Sequence, residues 1–296
     1  MKKIDIHCHV APFPQYQIGI PDTSRTISAT EQLAIHDKLN VEIGVLLTCV
    51  SPEGTWGIGS NYATKFLADQ YPDRFMWFCN VDPRQGNNSP TTDLSIILNR
   101  CKALGAKGLG ELTASMYADD PMMDNLFYHC EQCQMPVLFH IAPKLGGHYG
   151  IVDDIGLPRI EKMLKKYPNL QFIGHSQCFW SEFQAGVTEA TRSQYLSPGK
   201  IKEGRVQQLM REYGNLYCDL SAGSGMHALM CDPEYTAKFF EEFSDRIYYG
   251  TDACRIHHTF QYDMDAFLTN MVTTGMLRLE NYEKIIRKNA EKLLGL

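Results

Sequence analysis

At 296 residues, with 44% hydrophobic and 21% charged side chains, the chain has the composition of a globular protein able to bury a large core, and disorder is not expected. Its net charge of −6 comes from interspersed acids and bases with no basic block, so nucleic acid is not an expected partner, and no apolar stretch approaches the ~18 residues that span a bilayer. Ten cysteines with no apolar leader ahead of them read as reduced, buried thiols of a cytoplasmic protein rather than a disulfide framework.

Ile4-Asp5-Ile6-His7-Cys8-His9-Val10 opens the chain as a strand. Side chains alternate along a strand, so Asp5, His7 and His9 are expected on one face and Ile6, Cys8 and Val10 on the other. Both imidazoles then point at one metal, and Cys8 is left out. A histidine pair on a stiff element loses little freedom on binding, and imidazole suits zinc, manganese, iron or nickel. Further β-branched or aromatic runs begin near residues 41, 75, 106, 136, 170, 215 and 246, with helical patterns between them. Strand-helix alternation repeated in this way predicts a closed parallel (β/α)8 TIM barrel, with 1–296 as a single domain. Asp120 and Pro121 mark a helix start, and Gly105 and Gly214 mark stops. Cys130 and Cys133 lie in an amphipathic helical stretch without a second pair and read as structural. Four later runs end, like the first, in a metal-ligand residue: Ala106 to Glu111, Pro136 to His140, Leu170 to His175 and Ile247 to Asp252. In a parallel barrel these are the C-terminal strand ends, where active sites lie, so these side chains are expected to share a site with His7 and His9. The connection from 176 to 214 is a candidate lid or oligomer contact, and residues 282–296 form an amphipathic helix expected to dock on the barrel.

Asp5-Ile6-His7-Cys8-His9, Pro136-Val137-Leu138-Phe139-His140, Gly174-His175, Tyr249-Gly250-Thr251-Asp252 and Lys288-Asn289-Ala290 follow one another over essentially the whole chain. In that order they resemble the amidohydrolase-related family of the metal-dependent hydrolase superfamily, the branch that includes aminocarboxymuconate-semialdehyde decarboxylase. The resemblance implies that His7, His9, His140 and Asp252 hold a divalent metal, zinc foremost, with manganese, iron or nickel as alternatives. It makes His175 either a ligand of a second ion or a proton-transfer group beside the first. Glu111 resembles the glutamate that helps hold two metals in TatD-like relatives, so one or two ions are expected. Lys107 is too far toward the barrel floor to replace the carboxylated lysine of other members, and is expected beside Asp5 or at the lower rim.

Metal of this kind supplies hydroxide at neutral pH, and with Asp252 as general base the expected reaction is hydrolysis of a small ester, lactone or amide. The alternative is decarboxylation of an aromatic or muconate-type acid, with His175 managing the proton delivered to carbon. A non-catalytic ligand-binding barrel is the reading outside enzymology. Around the mouth, Arg255, Lys144, Tyr149 and Trp180 are expected to contact substrate, Arg255 as a fork for a carboxylate. Ser221-Ala222-Gly223-Ser224-Gly225 could present N–H groups to an anion. Ser176, in Gly174-His175-Ser176-Gln177-Cys178, raises a serine-hydrolase reading, but that leaves the paired histidines unexplained and puts Cys178 where a nucleophile turn wants glycine. A small molecule is the expected partner, neither membrane nor nucleic acid is, and a homo-oligomer is compatible with the sequence.

Overall fold

The computed structural model describes residues 1–17, 21, 24–54 and 59–296. Its strands are β1 (Lys3–Cys8), β2 (Val41–Leu46), β3 (Phe75–Trp77), β4 (Leu109–Leu112), β5 (Val137–Ala142), β6 (Ile151–Val152), β7 (Phe172–His175), β8 (Leu216–Asp219) and β9 (Ile247–Tyr248). In parallel register β1 pairs with β2 and β2 with β3, and a second set runs β4, β5, β7, β8, β9. Backbone bonds join the two sets into a ring. Cys79 N–H donates to Gly108 O and Gly110 N–H to Cys79 O between β3 and β4, while Ile6 N–H donates to Tyr249 O across the seam between β1 and β9. Closure removes the free edges that an open sheet would expose. The short β6 stands outside the ring, pairing with the end of β5.

Local sequence sets the helix ends. Ser28 and Glu31 form a reciprocal capping box at the start of helix Ala29–Leu39, and Asn40 ends it in a left-handed conformation, φ 57°, just before β2. Asp120 accepts from the Met122 N–H at the start of helix Pro121–Gln132, as its position before Pro121 predicts. The strand residues sort into two apolar layers. Ile4, Ile6, Val45, Leu47, Phe78, Leu138, Ile173 and Tyr248 meet inside the barrel and are joined by Ala290 and Leu294 of the last helix. Phe139, Phe172, Leu216 and Cys218 pack outward with the surrounding helices.

That last helix runs from Leu279 to Leu294 through a π turn at Lys284–Lys288. A π turn disturbs the regular carbonyl pairing, and here Ile285 O accepts from Tyr249 N–H at 3.0 Å. Asn289 Nδ2 donates to Ser244 O at 2.7 Å and Ile247 O at 2.8 Å, fastening the helix to the start of β9.

Simple alternation fails in β1. Its register against β2 slips between Asp5 and Cys8, which is the signature of a bulge. Asp5 and Cys8 consequently meet on the side of helix Ala29–Leu39, where His36 Nε2 lies 3.2 Å from Asp5 Oδ2 and 3.5 Å from Cys8 Sγ. Ile6 points inward with Ile4. Asp5 therefore does not share a face with His7 and His9, and the side chain it meets is His36 rather than Lys107. No helix among the described residues is long and apolar enough to cross a membrane.

Candidate metal centre

The ends of β1, β4, β5 and β7, with the turn after β9, bring six ligand-type side chains together. His7 Nε2 and His9 Nε2 are 3.1 Å apart. Glu111 Oε2 lies 3.3 Å from His9 Nε2, and Glu111 Oε1 lies 2.8 Å from His140 Nδ1. Asp252 Oδ1 is 3.6 Å from His9 Nε2 and 3.8 Å from His7 Nε2, while its Oδ2 is 3.8 Å from His175 Nε2. The donor atoms fall into three overlapping groups: His7, His9 and Glu111; His7, His175 and Asp252; Glu111, His140 and His175. The histidines and Glu111 are buried, whereas the Asp252 side chain keeps 21% of its exposure.

Asp219, at the end of β8, is the residue that sequence reasoning missed. Its Oδ2 lies 2.7 Å from His7 Nδ1 and its Oδ1 3.0 Å from His175 Nδ1. With Nδ1–H donated to Asp219, each ring turns an Nε2 lone pair toward the shared centre. The signal was present: Leu216-Tyr217-Cys218-Asp219 is another apolar run ending in a carboxylate.

The turn carrying Asp252 is held on two sides. Asp252 N–H donates to His7 O at 2.8 Å. Asp5 accepts from Thr251 N–H at 2.9 Å and from its hydroxyl at 2.6 Å. These bonds keep Asp252 at φ 50°, a left-handed conformation that costs a non-glycine residue ~1–3 kcal/mol. Gly250 lets the turn approach this closely, since a Cβ there would stand 3.0 Å from His7 Cβ and 3.1 Å from Ser221 Cβ.

The charge balance calls for a cation. Burial alone would lower the His7 imidazolium, but Asp219, Asp252 and Glu111 outweigh it and push its pKa up to about 10. Burial opposes ionisation of Glu111 too, yet hydrogen bonds from His140 and His9 hold it well below the usual carboxylate range. Asp219 is likewise held low despite burial, by His175 and His7. Burial pulls His140 down, which leaves a neutral ring with a lone pair. Three carboxylates thus surround four imidazoles, and the His7 and His9 Nε2 atoms face each other with their Nδ1 atoms turned to Asp219 and to Leu47 O at 3.3 Å. A cation that displaces the proton held by His7 meets nitrogen lone pairs and carboxylates converging as the donor set of a divalent metal, so the residues fit one.

Above this floor opens a cavity of about 360 Å³, lined by His9, Glu111, His140, His175 and Asp252 and, higher up, by Tyr149 and Arg255. Tyr149 lies against the His140 ring, 4.5 Å between centroids. Arg255 Nη1 donates to Ser24 O at 2.7 Å, which anchors the guanidinium. Lys144 and Trp180, expected beside substrate, do not line the cavity. Lys144 is exposed on the loop after β5. Trp180 is buried in helix Gln177–Ser181 against Phe179, Phe183 and Phe239, because that short helix turns its aromatic face into the core. Ser176 is no nucleophile: its buried hydroxyl donates to Ile141 O at 2.9 Å and accepts from Ile141 N–H at 3.1 Å.

An amidohydrolase family model matches residues 4–296. No protein of curated function matches the sequence. Among solved structures, 2,6-dihydroxybenzoate decarboxylase complexed with 2,6-dihydroxybenzoate is similar at 14% identity, with all of both chains covered and a TM-score of 0.62. A probable 2-pyrone-4,6-dicarboxylic acid hydrolase from Acinetobacter baumannii, with citric acid bound, is similar at 16% identity, again with full coverage of both chains and a TM-score of 0.62. Dihydroxybenzoic acid decarboxylase from Polaromonas, with bound manganese and 2-nitroresorcinol, is 16% identical, with 100% of this chain and 97% of that one covered and a TM-score of 0.59. At these identities the structures establish a common barrel fold.

Proposed function

This chain belongs to the amidohydrolase family of metal-dependent enzymes, and from that premise we propose that it hydrolyses a small ester, lactone or amide at a site for two cations. Glu111 carries the reading. Its two oxygens face different donor groups, Oε2 toward His9 and Oε1 toward His140, so it would help to hold an ion at either group. His7, His9 and Asp252 would complete one position and His140 with His175 the other. Zinc is the ion we assign, because the set mixes imidazole nitrogen with carboxylate oxygen, and manganese is the alternative.

Bound divalent cations supply Lewis acidity, lowering the pKa of water toward ~7 and polarising a substrate carbonyl. The chain's own residues handle the proton. Asp252, which lines the cavity, takes it from the attacking water at its carboxylate and returns it to the leaving oxygen or nitrogen. His175, with Nδ1 tied to Asp219, keeps Nε2 directed at Asp252. Arg255 and Tyr149 orient the substrate from the cavity wall. We assign the whole chain to one cytoplasmic barrel domain acting on a small molecule.

Glu111→Gln tests this. Metal content should fall from about two per chain toward one, and lactone or ester turnover should drop by ~100-fold or more, because the attacking water loses one cation. A wild-type protein that holds a single ion, with no change on Glu111→Gln, contradicts it. Decarboxylation of an aromatic acid is the second reading, favoured by the likeness to dihydroxybenzoate decarboxylases. Carbon dioxide release from such an acid, with lactones and amides left intact, would establish it instead.

A further inference from the structure

Helix Ala222–Met230 begins at the cavity wall with its first turn uncapped. Ser221, at the N-cap position, turns its hydroxyl away to Asp219 Oδ1 at 2.6 Å. Ala222 N–H donates to Thr251 O at 3.2 Å and Gly225 N–H to Ser221 O at 3.3 Å. The N–H groups of Gly223 and Ser224 are left without a protein acceptor among the described residues. Ser224 is only 3% exposed, lines the cavity, and its Oγ has no hydrogen-bond partner.

A buried hydroxyl and two buried N–H groups without acceptors are costly unless a ligand supplies one. All three can donate, and they sit at the positive end of a helix, so the complementary group is an anion. Arg255 adds a guanidinium to the same cavity. Glu111 and Asp252 also line it, their charge offset by the cations they would hold, and a carboxylate offers two acceptor oxygens to the donors of this one turn. Tyr195 stands over this turn: a Cβ on Gly223 would meet its hydroxyl at 3.0 Å, and its ring stacks on His227 of the same helix at 4.7 Å. The connection before residue 205 thus walls the subsite.

We propose that the substrate bears a carboxylate separate from the bond that is cleaved, and that this group docks on the Gly223 and Ser224 N–H groups and the Ser224 hydroxyl. The identity of the cleaved bond rests on the hydrolase reading; the subsite does not. Calorimetric titration of the metal-loaded protein with glutarate and with its monoamide, glutaramate, reads the second carboxylate directly. The wild type should prefer glutarate by about tenfold, in line with charged hydrogen bonds to a buried donor set. The preference should shrink in Ser224→Ala and vanish in Ser224→Asp, whose own carboxylate would fill the turn, with metal content unchanged in both. An equal preference in all three proteins, or none in the wild type, overturns the subsite whatever bond is cleaved. A preference that follows Ser224 in a protein that hydrolyses no ester, lactone or amide upholds the subsite and removes the hydrolase reading.

Discussion

At Asp219 one carboxylate serves ring nitrogens from two strands, and an amide cannot do the same. Asparagine would offer one acceptor oxygen and one NH2 group, so either His7 or His175 would face a donor and turn its own lone pair to it. That ring would then present N–H, not a lone pair, to the metal. Asp219→Asn should weaken metal binding by ~10- to 100-fold, measured by competition with a chromophoric chelator. Unchanged affinity would mean that Asp219 is only a structural partner. Trp180 offers the opposite case. Its burial among Phe179, Phe183 and Phe239 predicts that Trp180→Ala costs ~3–5 kcal/mol in denaturant unfolding while leaving KM for a small substrate unchanged. An aromatic residue just past a barrel strand reads equally well as wall or core in a sequence, because only the direction of the short helix decides. The six ligand-type residues were legible for a different reason: His7 and His9 pair on the first strand, the other four each end an apolar run, and the barrel converts that linear rule into convergence. Asp219 obeyed the same rule and was passed over.

Among the elements, the ring strands start within a few residues of the positions set by their apolar runs, since burial on both faces leaves an uninterrupted signature. The bulge in β1 had no such signature. It depends on how Asp5 bonds to His36 and Thr251, contacts made with chain far away in sequence. The two-residue β6 was also beyond sequence reading, being fixed by tertiary pairing with β5 and not by its own residues. The amphipathic pattern of residues 282–296 foretold the last helix, although not its π turn. Asn289 is its fastening, with Nδ2 shared between Ser244 O and Ile247 O. Asn289→Ala would leave two buried carbonyls unpaired, and thermal unfolding should register a loss of ~1–3 kcal/mol. A smaller effect would indicate that packing of Ala290 and Leu294 suffices to hold the helix.

For the molecule as a whole, metal binding and folding are coupled, because the ligands come from strands all round the ring. An ion bound only by the closed barrel stabilises it by mass action, ~4 kcal/mol when free metal exceeds its dissociation constant a thousandfold. Dialysis against a chelator should therefore lower the unfolding temperature, and zinc or manganese should restore it. A midpoint indifferent to chelation would place the binding energy outside the folded ring.

The seam between β1 and β9 gives the centre a birth order. Thr251 lies 246 residues beyond Asp5, and the bonds between them form only when the two ends of the ring meet. At translation speeds of ~5–20 residues per second, the paired histidines exist for roughly 12 to 50 seconds before the turn bearing Asp252 has even been made. During that interval they are a bare two-imidazole hook on a growing chain, open to whatever transition metal is most abundant. Only the closing of the seam adds the carboxylate and buries the hook, so the choice of ion belongs to the finished barrel and not to the histidine pair that emerges first.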